Sequence, residues 1–144
     1  MTASPIVIRL AGEPKGKARP RFSRASGRAF TPAHTAKYEA ALRVAAQDAM
    51  GERAPLIEAL TVVVIAALPI AASWSKVKQQ RARDGLIRPT KRPDVDNFAK
   101  SLDGLNEVVF RDDAQIVDLT VRKVFSDKPE LRIEVTPLGE GSAA

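Results

Sequence analysis

Apolar positions recur with two different periods along this 144-residue chain, and the changes of period mark its elements. Residues 5–11 (PIVIRLA) alternate and are rich in β-branched side chains, which predicts a first strand. Residues 12–30 (GEPKGKARPRFSRASGRAF) replace any period with Gly, Pro, Ser and Arg, and predict a loop or a loose hairpin. Thr31 and Pro32 then match an N-cap followed by proline at the first helical position. Tyr38, Ala41, Leu42, Ala45 and Ala49 repeat at helical spacing towards Met50, and Gly51 ends that helix.

Residues 57–68 (IEALTVVVIAAL) are the strongest strand in the chain, closed by Pro69. A nearly unbroken apolar run predicts a central strand covered on both faces. Residues 72–84 (ASWSKVKQQRARD) predict a short basic helix. After Gly85 an irregular, mobile linker is expected as far as Pro93. In residues 94–107, Val95, Phe98, Ala99, Leu102 and Leu105 form one apolar stripe of a second long helix. Asp96, Lys100 and Asp103 fall on a neighbouring flank of it, within about 60° of one another. Residues 116–125 and 131–137 alternate and predict an antiparallel hairpin turning at 127–129. The tail after 137 reads as flexible. The order β-α-β-α-α-β-β implies one α/β (α+β) domain over 1–144, a mixed sheet of about four strands packed with helices.

Composition narrows the chemistry. There is no cysteine, so disulfides, zinc–thiolate sites and a cysteine nucleophile are excluded. His34 is the single histidine, expected on the surface of the first helix, and nothing near it supports a Ser-His-Asp arrangement. The N-terminus lacks an export signal, and the apolar stretch 62–72 is broken by Pro69 and too short to cross a membrane. A cytoplasmic protein with no membrane partner and no small-molecule cofactor is expected. Net charge is +6, and it is segregated. Residues 1–30 hold seven Lys or Arg against Glu13, and residues 74–92 hold seven against Asp84, whereas residues 93–144 are acidic. Two basic blocks outside an acidic half suggest a surface for a polyanion, because each neutralised phosphate releases counterions.

Inside that basic chain, Asp94, Asp96, Asp103, Asp112 and Asp113 fall within twenty residues. Crowded carboxylates repel by about 1 kcal/mol per pair in water and more in a cleft, so they favour a proton or a cation between them. Oxygen-only ligands suit a hard ion such as Mg²⁺ or Mn²⁺. Each piece also has a plain structural reading. Asp94 is placed to be an N-cap, Asp96 a first-turn acid, Asp112–Asp113 a turn before a strand, and Lys100 an i,i+4 partner of Asp96. An EF-hand loop is excluded, since Phe98 and Ala99 stand where another oxygen ligand and a glycine are required.

The string KRPDVDNFAKSLDGLNEVVFRDDAQIVDL, residues 91–119, resembles the signature of the RusA family of Holliday-junction resolvases, endonucleases of phages, prophages and bacteria. PKGKARPRF (14–22), SWSKVK (73–78) and IRPTKRPD (87–94) resemble the phage and prophage branch, and the likeness extends over residues 6–137. It implies a RusA-like, homodimeric endonuclease that hydrolyses phosphodiester bonds of four-way junctions in DNA recombination and repair. It implies a Mg²⁺ cofactor, with Mn²⁺ as a substitute. It implies Asp94, Asp96 and Asp113 as catalytic, metal-holding acids, Lys100 as the essential lysine, and Asp103 and Asp112 in supporting positions. Phe98 departs from the aliphatic residue usual at its place, which bears on packing rather than chemistry.

Lys15, Lys17, Arg19, Arg21, Arg24 and Arg28 are candidates to hold DNA backbone. Lys76, Lys78, Arg81 and Arg83 recur at helical spacing and are candidates for the same channel. Trp74 and Phe22 are the aromatics placed to stack on open bases, with packing the more ordinary role for Trp74. Two other functions fit the same residues: a non-catalytic nucleic-acid-binding protein whose acids are caps, and a nuclease for other branched or RNA-containing substrates.

Overall fold

The apolar run of the strongest predicted strand needs a neighbour on each edge, and in the computed structural model, which describes residues 4–17, 21–30 and 33–139, it has both. Strands β1 (Ile6–Ala11), β4 (Leu60–Pro69), β5 (Ile116–Ser126) and β6 (Glu130–Pro137) form a mixed sheet in the order β1-β6-β4-β5. β4 pairs antiparallel with β6 and parallel with β5. β5 and β6 therefore do not form the expected hairpin, because β4 lies between them. Alternation gave each strand its apolar face but not its partner. The crossing at residues 127–129 passes beyond the end of β4, where Pro69 has no N–H to extend the ladder. Three linking residues suffice to step over two strand spacings of about 4.8 Å each. Arg83 Nε holds the link through Asp127 at 2.8 Å.

Burial alternates along β4: Leu60, Val62, Val64 and Ala66 are buried, while Thr61, Val63 and Ile65 are only half-buried. The expectation of cover on both faces is thus corrected. The core lies on one face, where Ile6, Ile8, Val62, Val64, Ile133 and Val135 meet the helices. The far face keeps Thr136, Glu134 and Arg132 of β6 beside Thr61, Val63 and Ile65, all half-buried.

Helix α1 (Ala33–Met50) buries Thr35, Leu42, Ala46 and Met50, so the core-facing stripe is rotated from the predicted one and Ala41 is exposed. Its predicted cap, Thr31 and Pro32, lies outside the described residues, as do Arg19 and residues 140–144 of the tail. Helix α2 (Lys76–Arg83) starts at Ser75, whose hydroxyl accepts from Lys78 N at 3.2 Å. The predicted long helix over 94–107 is instead a six-residue helix α3 (Val95–Lys100) followed by a 3₁₀ turn, Ser101–Leu105. Ser101 Oγ donates back to the Phe98 carbonyl at the change of pitch, a local bond that competes with regular helix. The stripe survives that change, with Phe98, Leu102 and Leu105 buried and Val95 on the exposed end. The segment 12–30 contains a small hairpin of β2 (Arg21–Ser23) and β3 (Arg28–Phe30). The linker before α3 is anchored rather than free at its end, because Lys123 Nζ on β5 donates to the carbonyls of Lys91 (2.7 Å) and Pro93 (3.0 Å). Among the described residues no helix is long and apolar enough to cross a membrane.

Candidate functional site

The RPDVDN turn places Asp94 just before α3 and Asp96 in its first turn, and both side chains are exposed. Asn97 does the capping: its Oδ1 accepts from Asp94 N at 3.1 Å, and its own N–H reaches the Asp94 main-chain carbonyl at 3.1 Å. The Asp94 carboxylate, at the N-cap, completes a capping box by facing the Asn97 N–H, without a hydrogen bond of regular geometry, and it stays exposed to solvent. Asp94, Asp96 and Lys100 line an open cleft of about 500 Å³, together with Arg92, Pro93, Gly16 and Lys17. Lys100 Nζ is 3.5 Å from Asp96 Oδ2, with both side chains more than half exposed. Such a pair is weak in water and easily exchanges one partner for another anion.

The PKGK segment forms the opposite wall. Lys17 N donates to the Asn97 carbonyl at 3.1 Å, and Asn97 Nδ2 returns a bond to Lys17 O at 3.3 Å. Gly16 makes that approach possible, since a Cβ there would lie 2.6 Å from Asn97 Cβ and 2.8 Å from Pro93 Cβ. Lys17 Nζ does not face the cleft as a free cation: it is bound to Asp103 Oδ2 at 2.8 Å and lies 3.5 Å from Glu39. The hydrogen bond that Lys17 donates to Asp103, with both carboxylates attracting the charge, raises the Lys17 pKa above 10.5. The stabilisation is then complete at and below 10.5 and is lost only as pH climbs through the raised value, so it is constant across the neutral range. A double-mutant cycle of Lys17→Ala and Asp103→Ala, read by urea unfolding, is expected to give about 0.2–1 kcal/mol of coupling that weakens in high salt.

Asp113 stands elsewhere in the single chain. It opens a short 3₁₀ turn, Asp113–Gln115, and lines a second cavity of about 260 Å³ with Ala99, Leu102, Val117, Asp118 and Leu119. Helix α3 is the shared wall, presenting Asp96 and Lys100 to one cavity and Ala99 to the other. Among the described residues no three His, Cys, Asp or Glu side chains stand close enough together to hold a metal ion. Asp112 acts as a cap: Ala114 N donates to its Oδ1 at 2.9 Å, and that bond, then the neighbouring Asp113, lowers its pKa. Gln115 accepts from Asp112 N at 2.8 Å and donates Nε2 to the carbonyls of Leu56 (3.0 Å) and Glu58 (2.9 Å). Gln115 thereby fixes the turn of Asp113 to the segment that leads into β4. Gln115→Ala is expected to lower stability by about 1–3 kcal/mol in urea melts, because two partly buried carbonyls lose their donor.

Of the basic candidates, Lys15, Arg24 and Arg28 are exposed. Arg19 lies outside the described residues, and for Arg21 only the backbone is described. The helical grouping of Lys76, Lys78, Arg81 and Arg83 does not hold as one face. At about 100° per residue, Lys76 and Arg83 point one way and Lys78 and Arg81 another. Lys78 Nζ sits over the Trp74 ring, 4.1 Å from its centroid, and Arg83 is committed to Asp127. Trp74 is half-buried and packs edge-on against Phe125, with ring centres 5.2 Å apart. His34 is exposed on α1.

Sequence reasoning passed over Asn97, Gly16, Gln115 and Lys123. Only Lys123 left a readable sign, a lysine in the apolar row Leu119, Val121, Lys123, Phe125 of β5.

Comparison with known proteins follows the same segments. A family model described as Endodeoxyribonuclease RusA matches residues 11–136. A protein of Bacillus subtilis (strain 168), named only as uncharacterized protein YqaN, is 35% identical over 136 residues, covering 90% of this chain and 94% of its own length.

Proposed function

Because the chain belongs to the RusA family of endodeoxyribonucleases, we propose that it resolves four-way DNA junctions by hydrolysing phosphodiester bonds at the Asp94–Asp96 cleft with the help of Mg²⁺ or Mn²⁺. The observation that carries this reading is two solvent-facing carboxylates and an exposed lysine opening into one cleft.

The donor chemistry fits a hard cation. Mg²⁺ is usually held by one or two carboxylates, with waters and substrate phosphate completing its shell, and Asp94 and Asp96 supply that share. When bound, the ion lowers the pKa of a coordinated water and polarises the phosphodiester. The rest falls to the chain. Arg92 and Lys100 line the same cleft as the acids and offset the negative charge that builds up as a water oxygen bonds to phosphorus and the ester P–O bond breaks. Lys100 can leave Asp96 for the phosphate at little cost, since the ion pair it gives up is exposed. Asn97, Gly16 and Lys123 hold the turn that carries the acids. Asp113 is assigned as the third acid of the working enzyme, although it lines the neighbouring cavity of the single chain.

The working enzyme is a symmetric homodimer in this reading. β5 is an edge strand, and beside Asp113 it exposes Val117 (65%) and Leu119 (42%). A second copy on that edge would cover them and close the cavity that holds Asp113. A two-fold dimer also matches the near two-fold symmetry of a four-way junction.

Cleavage assays with four-way, flap, fork, linear-duplex and RNA-containing substrates at moderate salt test the proposal. Junctions are expected to be cut with paired incisions, only with divalent metal, and by a species of twice the chain mass in light scattering. Binding of all substrates without any cleavage would leave a nucleic-acid-binding protein; equal cleavage of flaps or hybrids would remove the junction specificity.

A further inference from the structure

The largest cavity described lies next to the acid cleft and has so far had no part in the reaction. It is a groove of about 610 Å³ between Trp74 and the segment 87–93, within the size range of sites for nucleotide-sized ligands. Its walls are apolar, formed by Trp74, Phe125, Ile70, Ile87 and Pro89. Its other lining residues include four cations, Lys78, Arg88, Lys91 and Arg92, against one acid, Glu13. Flat apolar walls beneath a cationic rim match a nucleobase joined to phosphates better than they match a peptide or a lipid chain. Arg92 and Pro93 line this groove and the Asp94–Asp96 cleft alike, so a strand held at the acids runs on into it.

Resting on the junction-endonuclease reading above, we propose that this groove is a base subsite: it takes an unpaired nucleobase next to the scissile phosphate and thereby selects opened strands over intact duplex. A base within duplex is paired and stacked, and only a branch point or a single strand offers it free. The groove is built in advance. Trp74 N donates to Ala71 O at 3.1 Å, Gln79 Nε2 holds Trp74 O at 2.9 Å, and Lys123 fixes the carbonyls of Lys91 and Pro93 on the opposite wall. Lys78, resting on the indole at 4.1 Å, is the movable element, and a base entering over Trp74 frees its ammonium for the adjoining phosphate.

Trp74 is the only tryptophan in the chain, so its fluorescence reports on the groove directly. The test uses the full-length protein in EDTA, so that nothing is cut. A single-stranded oligonucleotide, the same strand with abasic positions throughout, a four-way junction and a linear duplex are titrated, with binding followed in parallel by anisotropy of labelled DNA. Bound single strand and junction are expected to quench Trp74, and bound duplex and abasic strand to leave it unchanged. The abasic strand should also bind at least about fivefold more weakly. Ile87→Trp, which fills the groove without removing the Trp74–Phe125 packing, should abolish the abasic penalty. The proposal is overturned if intact and abasic strands bind equally, or if bound single strand leaves the emission unchanged. These outcomes are read without metal, so they are independent of whether junctions are cleaved. Loss of junction cleavage with normal quenching would count against the reaction assigned above and not against the base subsite.

Discussion

Asp96→Asn is expected to lower junction cleavage in Mg²⁺ by at least about a hundred- to a thousandfold while junction affinity in EDTA stays within about threefold. The change keeps shape and removes one charge from the two carboxylates that share the cleft with Lys100. DNA binding should survive, since it draws on exposed cations such as Lys15, Arg24 and Arg28 rather than on the acids. Folding should survive too. Among the described residues the only ion pair lost is the exposed one to Lys100 at 3.5 Å, worth a few tenths of a kcal/mol, and repulsion with Asp94 is relieved. The expected melting temperature without metal is therefore within about 2 °C of the wild type or slightly above it. Full cleavage by this variant would remove Asp96 from the metal site. A drop of many degrees would instead make it a structural cap.

Gly16→Val should be as damaging by a different route. Any side chain at residue 16 begins with a Cβ 2.6 Å from Asn97 Cβ and 2.8 Å from Pro93 Cβ, and branching adds two more methyl groups to that clash. Either the PKGK segment lifts away or α3 shifts, and both break the reciprocal bonds between Lys17 and Asn97 and pull Lys17 from Asp103. Overpacking of this kind costs about 1–3 kcal/mol, a fall of roughly 2–12 °C for a domain of this size. Cleavage should fall by more than the melting temperature explains, because the displaced residues are the wall of the acid cleft. Gly16→Ala is the milder control. Unchanged activity and stability in Gly16→Val would mean that the segment does not pack on the RPDVDN turn.

The sequence was most legible where one physical rule acted alone. Val62, Val64 and Ala66 could only be core of a strand, and Phe98, Leu102 and Leu105 kept their stripe even though the helix tightened to 3₁₀ after Lys100. It was least legible where two segments compete for one partner. β5 and β6 alternate like a hairpin, yet β4, with its run of apolar β-branched residues, takes a ladder edge from each. Lys17 reads as one more DNA contact in a basic loop, but Asp103 and Glu39, 86 and 22 residues away in sequence, claim it. Two of the basic residues of α2 are similarly claimed, Lys78 by an indole ring and Arg83 by Asp127.

What the chain determines by itself is the kind of chemistry and the kind of elements. Aspartates crowd just after the second of two basic blocks, in a motif that marks the family, and the periods of apolar residues mark most strands and helices. These properties are local, set by side-chain type and by dihedral preferences a few residues wide. Only the tertiary structure decides which strand inserts between which, that one sheet face stays half open, that Asp94 and Asp96 share a cleft while Asp113 faces the next cavity, and that a groove lined by Trp74 adjoins them. Those outcomes turn on backbone hydrogen bonds and close packing between distant segments. The backbone groups involved are alike at nearly every residue, so partner and distance leave little trace in residue order.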